Sequence, residues 1–391
     1  MIKKLGKKAL YILYLLSVSF LILEIIFRVW AFGFDMRGFY LSFGIYPDEI
    51  YWSELTSRID ESDYYGFDKS TGWAIKKNGV FRDSLYVSNS MGIRSDKEFS
   101  KQKKGSTIRI GLFGDSFIHS DDVYYEESLV HHLEKDFDKK GLDVEVLNFG
   151  VSGFGMSQAY LRYHNFGKDY DLDIVVFGFQ IENFWRNLNV YRPNYYIYTG
   201  LPLVKPRFYP EGDSLKLIKV DDFDIEKLKK LPFNFKQSEL AKYEYFTQND
   251  SLSITHNRVL SWSFAYKAFS SLFIDSPKRH KEEIEDSEEG LEVMYFILKK
   301  FAGEAQKNGS EFIILELPDD DYMNSFIENG LSPHPSIIDS IANQFTFVET
   351  ANMLSNYPID KTYYHHHTDF GNQLISERLV SRLLQLGLVE N

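Results

Sequence analysis

A chain of 391 residues, 44% hydrophobic and 26% charged, is long enough for one large domain or two ordinary ones and has the composition of a folded protein. Its net charge of -12, with no basic patch evident, excludes nucleic acid as a partner. The absence of cysteine excludes disulfides, thiolate metal sites and a lipoprotein anchor cysteine. Aromatic residues make up 16% of the chain, which reads first as a rich core and second as a sugar-stacking surface.

Lys3, Lys4, Lys7 and Lys8 precede an uncharged run from Ala9 to Leu23, and the apolar character continues to Phe34. About 20 residues suffice to cross a bilayer, so residues 1–34 are expected to be a cytoplasmic basic tip and a transmembrane anchor. Glu24 and Arg28, four apart, are placed to pair near the far interface. Lysines retained inside send the remainder out, so a single-pass protein with an extracytoplasmic body is expected. A cleaved signal peptide is the rival reading, but residues 28–34 offer no convincing small-x-small cleavage site, which favours an uncleaved anchor. Residues 35–105 are poorly periodic and rich in Tyr, Asp and Ser; they read as an extension packed on the following domain, with no chemistry of their own.

Strand and helix then alternate. Strands are expected at Ile108–Phe113, Val144–Phe149, Ile174–Phe179 and Phe312–Pro318, with Phe345–Val348 as a fifth. Between them Leu129, Leu133 and Phe137 mark one helix face with Gly141 as its stop, and Gln158–Tyr163 is a short helix. Leu291, Met294, Leu298, Phe301 and Ala305 form a helical stripe ended by Gly309, and the last helix runs from about Asp369 to Leu386. Such alternation predicts an α/β protein with a parallel sheet covered on both faces. Residues 189–286 break the alternation with aromatic, proline-punctuated and charged stretches and read as an insertion in a domain spanning 106–391; Lys278–Glu283 is its charged run, read as a solvated helix face or loop.

The chemistry-bearing residues fall at strand ends, where an open parallel sheet forms its ligand crevice. Gly114-Asp115-Ser116-Phe117 follows the first strand, and a serine at a helix mouth has backbone N–H groups near it to stabilise an oxyanion. Asp or Ser before a helix is equally an ordinary cap. Gly150-Val151-Ser152-Gly153 follows the second strand and Gln180-Ile181-Glu182-Asn183 the third. A glycine lets backbone approach a substrate closely, and a carboxamide can donate to a developing negative charge. His365-His366-His367 precedes the final helix, where a histidine can activate a serine as general base. Three consecutive histidines diverge, and no second ligand cluster is spaced to join them, so neither a metal nor a cofactor is expected.

This order of Ser, Gly, Asn and His blocks resembles the SGNH (GDSL) hydrolase superfamily over residues 106–190 and 290–388. The resemblance implies a flavodoxin-like parallel sheet flanked by helices. It also implies Ser116 as nucleophile and first oxyanion donor, Gly153 and Asn183 as further oxyanion donors, and His366 as base, the family spacing landing on Gly371. Two positions depart from the family pattern. Phe184 stands where an Asp follows the Asn, and Tyr363 and Tyr364 stand where an Asp precedes the His. Asp360, six residues before His366, is the orienting acid available if the loop bends; otherwise a dyad with a backbone carbonyl or tyrosine holding the imidazole is implied. By analogy the activity expected is an esterase acting on acylated cell-surface or secreted glycans. An O-acyltransferase of an envelope polysaccharide pathway and an inactive SGNH-fold binding protein are the alternatives.

Overall fold

In the computed structural model the described residues are 2–43, 45, 47–57, 62–196, 199–212, 214–248, 260–273 and 284–390; the Lys278–Glu283 run lies outside them. Helix α1 runs from Ile2 to Gly33, and every side chain from Gly6 to Leu23 is exposed. It is long and apolar enough to cross a bilayer.

The central sheet is built from β1 (Ile108–Phe113), β2 (Val144–Asn148), β3 (Ile174–Phe179), β4 (Glu311–Glu316) and β5 (Thr346–Val348). All four pairings are parallel and the spatial order is 2-1-3-4-5, the doubly wound, flavodoxin-like order. The strands read as continuous apolar runs because both faces are covered: Ile110, Leu112, Val175, Val176, Ile313 and Ile314 are all buried. Strand order reverses at β1, which pairs with β2 on one edge and β3 on the other, and that switch point is where an open α/β sheet leaves a crevice.

The connecting helices follow the apolar stripes. Helix α2 (Ser116–His119) is a single turn directly after β1. Helix α3 (Leu129–Lys139) is capped by the Ser128 hydroxyl and buries Leu129, Leu133 and Phe137. Helix α4 (Met156–Asn165) is four residues longer than the stretch expected at 158–163. In the insertion, α5 (Phe264–Phe273) packs on α1. Helix α6 (Glu288–Lys307) starts at the Ser287 cap and buries the Met294, Leu298, Phe301, Ala305 face. Helix α7 (Asp369–Gln385) starts at the Thr368 cap and packs on α3.

Outside this frame, the segment from 62 to 105 forms two small hairpins, Tyr65–Asp68 with Gly72–Ile75 and Val80–Phe81 with Tyr86–Val87. A further hairpin pairs Arg207–Glu211 with Ser214–Ile218 in the insertion. Trp73, Val151, Phe154, Val190, Tyr191 and Val204 share one apolar cluster, so extension, site loop and insertion pack together. These hairpin strands are two to five residues long and carry no period that a sequence pattern could register.

Candidate active site

The four blocks come to the carboxyl end of the sheet. Register places Leu112 beside Asn148 and Phe113 beside Phe177, so the loops after β1, β2 and β3 leave the same edge, and the His366–His367 segment packs on the turn after β1. Ser116 is the first residue of α2 and is buried to 6% exposure at its mouth. Asp115 caps that turn: one carboxylate oxygen accepts the Phe117 N–H at 3.0 Å. Its other oxygen accepts Asn183 Nδ2 at 2.9 Å and the Arg186 guanidinium at 3.2 Å. Burial raises the Asp115 carboxyl above the ordinary aspartate range, against the pull of Arg186. Asp115 therefore fixes both the serine turn and the carboxamide plane, and only one of the two Asn183 N–H groups is consumed in doing so.

Gly153 follows β2 with φ +75, a conformation that a side chain resists. A Cβ there would stand 2.8 Å from the Arg192 guanidinium carbon, and Arg192 donates to the Gly153 carbonyl at 2.7 Å. Fixing the carbonyl in this way fixes the backbone of the loop after β2. Asn183 opens the single turn after β3, and Phe184 beside it is buried in the core.

His366 sits on a two-residue strand that pairs with Tyr363–Tyr364, turned by His365 at φ +61. The imidazole packs edge-on against Phe117, the residue after Ser116, at 5.2 Å between ring centroids. Its Nδ1 bonds the Asp122 carboxylate at 2.7 Å. The hairpin carries the two tyrosines away from Nδ1: Tyr363 stacks on Phe117 and Tyr364 is exposed. Asp360, the acid offered by the sequence, lies exposed on the turn Ile359–Thr362 and makes no hydrogen bond to His366 among the described residues. No hydrogen bond joins Ser116 to His366 among these residues either; the two lie in packed neighbouring elements. His367 is buried, bonded through Nε2 to the Pro318 carbonyl at 3.0 Å, and burial pushes it down to about 4. That leaves it neutral and structural, and the adjacent His366 takes the half-buried, acid-paired position.

Burial alone would lower His366, but the Asp122 hydrogen bond and the fields of Asp121, Asp122 and Asp115 outweigh it and raise the imidazole above its usual 6.5. A base must be neutral to accept a proton, so if His366 serves as general base toward an ester, kcat/KM is expected to climb with pH through a midpoint above 6.5. Asp122→Asn removes the hydrogen bond and one charge and is expected to move that midpoint down. A pH–rate profile of the two proteins checks both, and an unmoved midpoint would detach Asp122 from the titrating group.

Behind the serine turn lies a polar network that single motifs do not signal. His119, fully buried, bonds Asp121 through Nδ1 at 2.5 Å and Tyr64 OH through Nε2 at 2.7 Å. Asp121 also accepts the Ser152 hydroxyl at 2.7 Å, and Ser152 meets Tyr65 OH at 2.5 Å. Burial drives His119 down to about 4. Burial alone would raise Asp121, but His119 and Ser152 hold it down at about 2. A neutral imidazole beside a carboxylate gives every proton one direction: Nδ1–H of His119 and the Ser152 hydroxyl donate to Asp121, Tyr64 donates to Nε2, and Tyr65 donates to Ser152. Two residues of the extension are thereby wired to the loops that carry Asp122 and Gly153. The extension, expected to carry no chemistry, thus contributes Tyr64 and Tyr65 to the network behind the serine turn.

Arg94 reinforces the same loop. Its guanidinium, fully buried, donates to the carbonyls of His119 and Ser120 and to Val123 O at 2.7 Å. Tyr86 OH accepts the Asp122 N–H at 2.8 Å. Ser120 and Asp122 both stand at positive φ, +61 and +67.

No family model and no curated protein sequence matches this chain. Among solved structures it is similar to an acetyl xylan esterase from Geobacillus stearothermophilus, at 12% identity and a TM-score of 0.38 over 73% of this chain and 97% of that one. It is similar also to a lipase/acylhydrolase from Enterococcus faecalis, at 14% identity and a TM-score of 0.36 over 73% and 98%. The structure of TesA matches at 12% identity and a TM-score of 0.35 over 71% and 99%. Likeness at this level carries nothing about the chemistry of this chain.

Proposed function

We propose that the protein is a membrane-anchored serine esterase of SGNH type, with Ser116 as nucleophile, His366 as base and Asp122 as the acid that orients the base. The observation that carries this reading is the His366–Asp122 bond at 2.7 Å on an imidazole packed against the serine turn. The Ser116 hydroxyl oxygen attacks the ester carbonyl carbon while His366 Nε2 takes its proton. The carbonyl oxygen, now negative, is received by the N–H groups of Ser116 and Gly153 and the free N–H of Asn183. Collapse breaks the C–O bond to the alcohol, which leaves with the proton from His366. Water, deprotonated by His366, then attacks the acyl-serine ester, and the carboxylic acid departs as Ser116 recovers its proton.

An anchor at α1 with its lysines retained inside puts the site outside the cytoplasm, which favours acylated envelope or secreted glycans as substrates. An O-acyltransferase differs only in the second acceptor, a sugar hydroxyl in place of water.

Full-length protein treated with a fluorophosphonate is expected to carry one adduct, on Ser116, by peptide mass spectrometry. The adduct is expected to vanish in His366→Ala. Folded protein without adduct would make a binding protein with a silent site the better reading.

A further inference from the structure

Helix α1 poses a length problem. Its uncharged run from Ala9 to Leu23 covers about 22 Å at about 1.5 Å per residue, against a bilayer core of about 30 Å. Roughly five more residues are needed, which carries the far boundary of the core to Arg28 and places Glu24 inside it.

The structure supplies Glu24 with partners at that depth. One carboxylate oxygen accepts Arg28 Nε at 2.6 Å and the Phe264 N–H at 3.2 Å. The other accepts the Ser263 hydroxyl at 2.7 Å and the Ala265 N–H at 2.9 Å. Arg28 also donates to the Trp262 carbonyl at 2.7 Å. The first turn of α5 is thus capped by a residue of α1, and α5 lies level with the end of the span.

The outward face of α5 is apolar. Among the described side chains between 260 and 272, the exposed ones are Leu260, Trp262 at 74%, Phe269 at 58% and Leu272 at 68%. The one charged residue of the helix, Lys267, is turned inward to Asp48. Ser270 and Ser271 return their hydroxyls to the Lys267 and Ala268 carbonyls, so neither asks for water. A water-facing helix carries the opposite pattern, polar outward and apolar inward. An apolar outer face with a tryptophan at its head suits the boundary of a lipid bilayer.

We infer that α5 and the turn before it lie in the outer interface of the bilayer that α1 crosses, the Trp262, Phe269 and Leu272 side chains in contact with lipid. The inference rests on the membrane-anchor reading of α1. Two contacts with the membrane hold the body of the protein in one orientation, where a single helix would leave it free to swivel.

The chain has no cysteine, so single labels report without a background. Phe269→Cys and Leu272→Cys, with Leu16→Cys on α1 and Ser214→Cys on the insertion hairpin, are spin-labelled in the full-length protein. After reconstitution into phosphatidylcholine–phosphatidylglycerol vesicles, each label is tested for collision with oxygen and with a water-soluble nickel chelate. Positions 269 and 272 are expected to favour oxygen over nickel several-fold, as position 16 does, while position 214 favours nickel. Nickel-accessible labels at 269 and 272 beside an oxygen-favouring label at 16 would overturn the inference and leave the anchor standing. Labels at 269 and 272 shielded from both probes would also overturn it, since protein and not lipid would then cover the face. A nickel-accessible label at 16 would remove the anchor and the inference together.

Discussion

Asp122→Asn is expected to lower kcat on an activated acetate ester by about 10^3 to 10^4-fold with KM little changed, whereas Asp360→Asn leaves both as they were. The reason is the direction of one proton. With a carboxylate on Nδ1, His366 keeps its hydrogen there and leaves the lone pair on Nε2. An asparagine in the same place can offer its own N–H to Nδ1, which moves the hydrogen to Nε2 and removes the base. The loss corresponds to about 4–5.5 kcal/mol of barrier, the size expected when the acid of a triad is replaced without disturbing its geometry. Steady-state kinetics of the two variants decides the matter. Equal activity in Asp122→Asn would return the site to a dyad, and a matching loss in Asp360→Asn would mean the loop rearranges to bring that acid in.

Much of the frame was readable along the chain. The central strands are buried on both faces, so they appear as unbroken apolar runs, and three of their connecting or terminal helices carry apolar stripes with Ser or Thr caps or Gly stops. Ser116, Gly153, Asn183 and His366 were readable as positions because each follows a strand or precedes the last helix, and the structure brings all four blocks to one edge of the sheet. Asp122 was not readable. It lies 244 residues from its imidazole and reaches it through a bend at Ser120 and Asp122, and no local propensity reports where a left-handed bend will point a carboxylate. The same limit hid the extension. Tyr64, Tyr65, Tyr86 and Arg94 act one at a time, through hydrogen bonds to a loop distant in sequence, and leave no periodic trace.

That loop makes Arg94 the residue whose loss should cost most in stability. Its guanidinium satisfies three buried carbonyls at once, those of His119, Ser120 and Val123, and lies 4.7 Å over the Tyr86 ring. Arg94→Met keeps the stem and removes the donors, leaving acceptors in a dry site at about 1–3 kcal/mol each. Partial access of water to the loosened loop lowers the sum, so a destabilisation on the order of 3–5 kcal/mol is expected in urea unfolding. Arg94→Lys should recover only part of it, because one ammonium cannot span three carbonyls held by a planar fork. The kinetic consequence follows from the residues in between. Asp122 sits at positive φ two residues past Ser120 and is held by Tyr86 as well, so without Arg94 the loop relaxes toward commoner backbone conformations and His366 loses its acid for part of the time. A fall in kcat with KM retained is therefore expected in Arg94→Met, and it should largely disappear when the same change is made in Asp122→Asn, where no orienting bond remains to be lost. If Arg94→Met lowers kcat by the same factor in both backgrounds, its effect does not pass through Asp122, and the arginine holds the fold of the extension alone.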